Sequence, residues 1–153
     1  MSDLVIRSAE PRDAEFLAEN NVAMALETEG KRLEGDTVRR GVQAVFENPA
    51  RGFYLVAELG GRPVGQLMIT CEWSDWRNAY YWWVQSVYVL PEARRRGVFR
   101  ALHAEILRLA RRDGNVCGVR LYVDKDNRTA QQTYAALGLR PARYTLFETD
   151  FPR

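Results

Sequence analysis

The residues best equipped for chemistry lie between 94 and 100, Arg-Arg-Arg-Gly-Val-Phe-Arg. Arg94, Arg95, Arg96 and Arg100 bring full positive charges to one short loop, and Gly97 lets the backbone approach a ligand with no Cβ in the way. Upstream, a β-rich apolar run ends at Leu90 and meets Pro91, which stops regular pairing. Downstream, Phe99, Leu102, Ile106 and Ala110 recur with helical spacing. The pattern is strand, turn, helix. The first amides of such a helix point outward with the positive end of its dipole, and an anion is their natural partner. Two readings of the loop follow: a phosphate cradle including Val98 and Phe99, or a solvated basic helix start in which Gly97 eases the turn.

Other reactive side chains are sparse. His103 is the one histidine and sits beside the apolar face of the helix after the loop, where a structural role is expected. Cys71 and Cys117 have neither CxxC spacing nor a histidine cluster, so no metal site is expected. The net charge of +2 is too small to argue for nucleic acid by itself.

The elements that must position the loop can be read in order. At 153 residues, 46% hydrophobic and 27% charged, the chain suits one globular domain over residues 1–153, with no apolar run long enough to span a membrane. The start, Met1-Ser2-Asp3-Leu4, shows no secretory pattern, so a cytoplasmic protein is expected. A short strand at 3–8 precedes a helix opening near Pro11, with Phe16, Leu17, Asn20, Met24 and Leu26 toward the core, ended by Gly30. Asp36 is a candidate N-cap for a second helix carrying Val38, Val42, Val45 and Phe46 inward, closed by Asn48-Pro49. Strands at 53–59 and 62–73 flank the hairpin signal Gly60-Gly61, and a third strand at 79–90 completes a meander into the basic loop. After the long helix, a strand at 116–123 is expected to pair in parallel with the strand before the helix. Asn127 caps a last helix that ends at Gly138, and a final strand is expected near 142–149. The order is βααβββαβαβ, an α/β (α+β) domain with a mixed sheet of six to seven strands and four helices.

That order, with the basic loop at its centre, resembles the GNAT superfamily of N-acetyltransferases over essentially the whole chain. The family's cofactor-loop signature, Gln or Arg, two residues, Gly, one residue, then Gly or Ala, falls on Arg94, Gly97 and Phe99. A second signature, Asn-x-x-Ala-x-x-x-Tyr then Leu-Gly, is intact at Asn127, Ala130, Tyr134, Leu137 and Gly138. The resemblance implies acetyl-coenzyme A as cofactor, its pyrophosphate on the amides of 94–100 and its pantetheine arm along Val87, Tyr88 and Val89. It implies a cofactor contact for Asn127, which as a lone residue also reads as a helix cap, and a general-acid role for Tyr134 toward the departing thiolate. There are two departures. Phe99 replaces a small residue, so its ring must turn away, and Gln85-Ser86 stand where many members carry a basic carboxylate.

The acceptor, in such a fold, would enter between the segment near residue 30 and the meander strands. Glu27 and Glu29 on one side, and Glu72, Trp73 and Trp76 with Trp82 and Trp83 on the other, would attract a cation through charge and ring faces. The expectation is a small primary amine attacking the acetyl group directly, with Glu27 or Glu29 as base or water relay. Alternatives are a non-catalytic acyl-coenzyme A binding module and, below it, a nucleic-acid-binding domain using the arginines. A homodimer is expected from an exposed sheet edge.

Overall fold

The computed structural model describes residues 3–153; Met1 and Ser2 of the opening segment lie outside the described residues. It divides into two compact units, one reaching Tyr122 and the other Val123–Arg153.

In the first unit, β1 (Leu4–Ser8) leads through a single 3-10 turn at Pro11–Asp13 into α1 (Ala14–Glu29), then α2 (Gly35–Glu47). β2 (Phe53–Leu59), β3 (Arg62–Ser74) and β4 (Ala79–Val89) form the meander, followed by α3 (Val98–Asp113) and β5 (Val116–Leu121). The strands lie in sequence order in one sheet, antiparallel except for the parallel pair β4–β5. The crossover through α3 is what makes that last pair parallel.

Strand periodicity sorts the sheet's side chains onto two faces. Leu55, Ala57, Leu67, Ile69, Trp82 and Val84 face α3 and meet Val98, Leu102, Ile106 and Ala110. Tyr54, Val56 and Met68 face the other way, against Leu17 and Ala18 of α1 and Val42 and Val45 of α2. Trp82 therefore belongs to the core, edge-on to Phe53 at 5.3 Å, and does not line an acceptor mouth. Leu26, expected inward, is half exposed.

The helix ends follow local chemistry. Gly30 and Gly114 close α1 and α3 in the left-handed conformation, with φ of 64° and 79°. The N-cap of α2 is Glu34, which accepts from the Thr37 amide, rather than Asp36. Asp36 is already inside the first turn and pairs with Arg39.

The second unit holds α4 (Arg128–Ala136), capped by Asn127 Oδ1, which accepts from the Ala130 amide at 3.1 Å. Gln131 donates back to the Asp124 and Lys125 carbonyls and closes the preceding turn. Gly138, with φ of 92°, ends the helix, its amide bonded to the Ala135 carbonyl. The strand expected at 142–149 is not formed: the described sheet has five strands, and Tyr144, Leu146 and Phe147 are exposed. β-propensity makes a strand only where a partner supplies the ladder.

The entry to α1 is fixed by a charged pair. Arg7 grips Asp13 with two bonds, at 2.8 and 2.9 Å, while Asp13 also accepts from the Glu10 amide. The Arg7 guanidinium, outweighing burial, holds the Asp13 carboxyl below its ordinary range. A depressed carboxyl contributes stability above its unfolded pKa and loses it as pH falls through the folded one, so this contribution disappears below about pH 4. Asp13→Asn is expected to cost about 1 kcal/mol in urea unfolding at pH 7, because Arg7 loses its two-bond partner but keeps Glu58 at 3.2 Å. The wild-type advantage over the variant should shrink as pH drops below about 4.

Candidate functional site

The geometry of the site begins with a mismatch between β3 and β4. Gln66 pairs with Tyr88, and Met68 pairs with Gln85. Leu67 alone therefore opposes Ser86 and Val87, which is a β-bulge. Ser86 takes up the extra residue with φ of 50°, in the left-handed region. The parallel pairing with β5 ends at Val84–Leu121, just before the bulge, while β4 continues to Val89. β5 itself ends at Leu121, so β4 runs on past its parallel neighbour.

Which backbone groups face the gap follows from alternation. The Leu90 amide bonds to the Val64 carbonyl, so Leu90 and Tyr88 direct their backbone toward β3. Val87 and Val89 direct theirs to the opened side. The Tyr88 ring turns under α1, where its hydroxyl donates to Glu27 Oε2 at 3.0 Å.

Past Val89 a 3-10 turn at Pro91–Ala93 carries the chain to Arg94, and Arg95 and Gly97 both adopt positive φ, 62° and 79°. Gly97 is the N-cap of α3, without a side-chain cap, and the first bond into it runs from the Ala101 amide to the Gly97 carbonyl. A Cβ built at Gly97 would stand in open space, so the helix start is not plugged by neighbouring atoms. Val98 is buried and anchors this end on the sheet. Arg95, Arg96 and Arg100 are exposed around it. The ring of Phe99 lies near His103 one turn along, with centroids 6.2 Å apart. His103 is buried, which pushes its imidazole pKa down and keeps it neutral.

Arg94 does something the loop pattern alone did not reveal. Its guanidinium forks onto the Glu27 carboxylate at 2.7 and 3.0 Å, its Nε donates to the Val89 carbonyl at 2.9 Å, and it lies 5.4 Å from the Tyr88 ring centre. It ties α1 to the loop. The same bonds hold the Glu27 carboxyl below its ordinary range, with Arg94 the main cause. Glu27, expected with Glu29 as base or water relay, is thus committed to Arg94 and Tyr88. Glu29 is exposed and only loosely paired with Lys31, at 3.6 Å.

The two carboxylate stretches expected to share one mouth do not meet. Glu27 sits by Tyr88, whereas Glu72 pairs across the sheet with Tyr81. The step from Tyr81 to Tyr88 covers roughly 23 Å of strand. Glu72 is also occupied, accepting from Trp83 Nε1 at 2.9 Å and from Arg120 at 3.0 Å. Arg120 lies 3.5 Å from the Tyr81 ring centre, and Trp83 stacks on Tyr122 at 4.5 Å. Trp73 packs edge-on to Tyr80, and Trp76 projects from the β3–β4 turn. This cluster already carries a cation, Arg120, on Glu72.

In the second unit, Asn127 is engaged as the helix cap and Tyr134 lies two turns along α4. Burial raises the Tyr134 phenol above its ordinary pKa, so it holds its proton at neutral pH.

A residue that pattern reading passed over completes the cradle. Gly65 lies opposite Val89 within β3, and a Cβ there would come within 2.9 Å of Val98 Cγ1. Glycine lets the start of α3 rest directly on the strand; the available signal was a glycine inside a strand pattern.

A strand running on past its parallel neighbour into a basic, uncapped helix start defines an α/β protein that binds a phosphate-bearing, amide-bearing ligand. Residues 17–139 match the acetyltransferase (GNAT) family, and the chain belongs to that family. It is an acetyl-CoA-dependent acyltransferase. Its fold matches a possible acetyltransferase from Clostridium difficile 630 at 39% identity, covering 98% of this chain and 99% of that one, with a TM-score of 0.91. The fold alone is shared with two more distant structures. One, described as a predicted acetyltransferase with acetyl-CoA from Clostridium acetobutylicum, is 16% identical over 95% of this chain and 96% of that one, TM-score 0.77. The other, AAC(6')-Iy in complex with a bisubstrate analogue, is 17% identical over 97% and 99%, TM-score 0.76. No curated protein matches the sequence. Among the described residues no helix is long and apolar enough to cross a membrane.

Replacing Gly65 by Ala is expected to shift the start of α3, costing about 1 kcal/mol in chemical denaturation and weakening acetyl-CoA binding by calorimetry. Unchanged affinity would show that the helix start tolerates displacement.

Proposed function

We propose that this chain transfers the acetyl group of acetyl-CoA to a small primary amine by direct attack. The observation that carries the reading is that β4 runs on past the end of β5 at Leu121 and leads into the Arg94–Arg100 loop. Acetyl-CoA supplies an activated thioester; the residues of this chain hold and orient it. Val87 and Val89 present strand groups that need partners, and amides of the pantetheine kind satisfy them. The start of α3, with Arg95, Arg96 and Arg100, provides donors and charge for the pyrophosphate. Asn127 joins the cofactor contacts in this reading by its signature alone.

Tyr134 acts as the proton donor to the departing thiolate. The intact signature and its protonated phenol support that role. Glu29 draws the amine and relays its proton, being the less committed carboxylate at the end of α1. Glu27 contributes by holding Arg94. No residue need be acylated, because a positioned amine is itself the nucleophile.

The family match crosses the division after Tyr122, which supports one functional domain over residues 1–153. The free thiols of Cys71 and Cys117 suit a reducing compartment and so the cytoplasm. β5 ends the strand order, and its outer edge suits pairing with a second copy in a homodimer. Sedimentation should show the dimer at micromolar concentration; monomer alone would reject it.

Calorimetric titration with acetyl-CoA should show saturable binding, weakened about tenfold in Arg96→Ala by loss of a charge-assisted contact. No binding by the wild type would overturn the reading. In thiol-release assays on an amine panel, Tyr134→Phe should lower kcat by roughly 100-fold with KM for acetyl-CoA little changed. Glu29→Gln should lower turnover on the true amine; unchanged kinetics would remove Glu29 from the mechanism.

A further inference from the structure

One polar side chain in the heart of the sheet has no place in the family signatures. Gln66, on β3, is fully buried. It stands opposite Tyr88, on the strand position that borders the bulge, and faces α1. A buried amide in such a place needs every donor and acceptor matched. Each is. Gln66 Oε1 accepts from Asn20 Nδ2 at 3.1 Å, and Gln66 Nε2 donates to Asn21 Oδ1 at 2.8 Å. Its other N–H goes to the Ser86 carbonyl at 3.1 Å.

That last bond is the informative one. Ser86 is the bulge residue, held at φ of 50° without the freedom of glycine. A left-handed residue of this kind persists where its surroundings over-determine it. Its carbonyl accepts from the side-chain amide of Gln66 on the facing strand, which ties the bulge to the α1 side of the sheet. Asn20 and Asn21, consecutive on α1, fix the amide from above, with Asn20 itself buried. The network thus joins three elements at the point where β4 leaves β5.

We propose that Gln66, oriented by Asn20 and Asn21, is a positioning residue for acetyl-CoA: it locks the Ser86 bulge and so sets the strand edge at Val87 and Val89 that receives the cofactor. The inference rests on the reading of that edge as the acetyl-CoA site. Removing the amide leaves the core filled but lets Ser86 relax toward ordinary strand geometry. The register beyond it then slips toward β5, and the edge closes.

The test compares acetyl-CoA affinity by calorimetry, with thermal melts, for wild type, Gln66→Leu, Gln66→Glu, Asn21→Ala and Val45→Ala. Gln66→Leu keeps bulk without polarity, and Gln66→Glu keeps shape but has no donors when ionised. Both should bind acetyl-CoA at least tenfold more weakly. Asn21→Ala, which removes one prop and leaves the amide in place, should bind about threefold more weakly and covers the case in which the Gln66 variants do not fold. Val45→Ala loses core packing between α2 and the sheet, away from the bulge, and should melt earlier with wild-type affinity. A folded Gln66→Leu with wild-type affinity would overturn this inference alone. So would Val45→Ala losing affinity in proportion to stability, which would make the Gln66 effect merely structural. A wild type that does not bind acetyl-CoA would overturn the acetyl-CoA reading and the inference with it.

Discussion

Leu67 of β3 stands opposite two residues of β4, Ser86 and Val87, and the sheet must absorb the difference. An extra residue on one strand bends it and sharpens its twist. Because β5 pairs with β4 only as far as Val84, the bend falls where β4 has just lost its parallel neighbour. Backbone groups that a regular sheet would consume are left facing a gap, and the chain is aimed at the loop before α3. β5 ends at Leu121, opposite Val84, so the last residues of β4 have no parallel strand to consume those groups. The position of α3 depends on the same region, since Gly65, opposite Val89, is where Val98 rests.

α1 supports this arrangement at two heights. Near its middle, Asn20 and Asn21 hold the Gln66 amide against the bulge carbonyl. Toward its end, Glu27 accepts from Tyr88 and grips Arg94. Carboxylates at a helix C-terminus lie against the dipole, so Glu27 and Glu29 are locally unfavourable there. Arg94 compensates for one of them. Both groups are substantially exposed, so the pair adds little to stability, but it fixes the direction in which the loop leaves the sheet. The Arg94 guanidinium is thereby held toward α1, and Arg95, Arg96 and Arg100 are exposed around Gly97.

Much of this was legible in the residues, for local reasons. The hairpin at Gly60-Gly61 was, because both residues adopt the positive φ that tight turns require. So were α3 and its apolar stripe, the parallel β4–β5 pair, and the loop signature. What escaped depends on partners distant in sequence. The Glu27–Arg94 pair joins residues 67 positions apart, and no spacing rule reaches that far. The bulge arises from a count mismatch between two strands and occupies a lone serine inside a β-rich run, where one such residue does not mark a break. The strand expected at 142–149 had the alternation of Tyr144 and Leu146 but no ladder to join. The Glu72–Arg120 pair likewise joins residues 48 positions apart, across β3 and β5.

The central claim is that the opened edge of β4 and the start of α3 together receive acetyl-CoA. At 17.6 kDa the protein is suited to amide-resolved NMR, and titration of the 15N-labelled chain with acetyl-CoA reads those groups directly. The account predicts that the Val87, Val89, Gly97, Val98 and Arg100 amides shift together and saturate with one affinity. Saturable binding that moves other amides and leaves these five in place would contradict it.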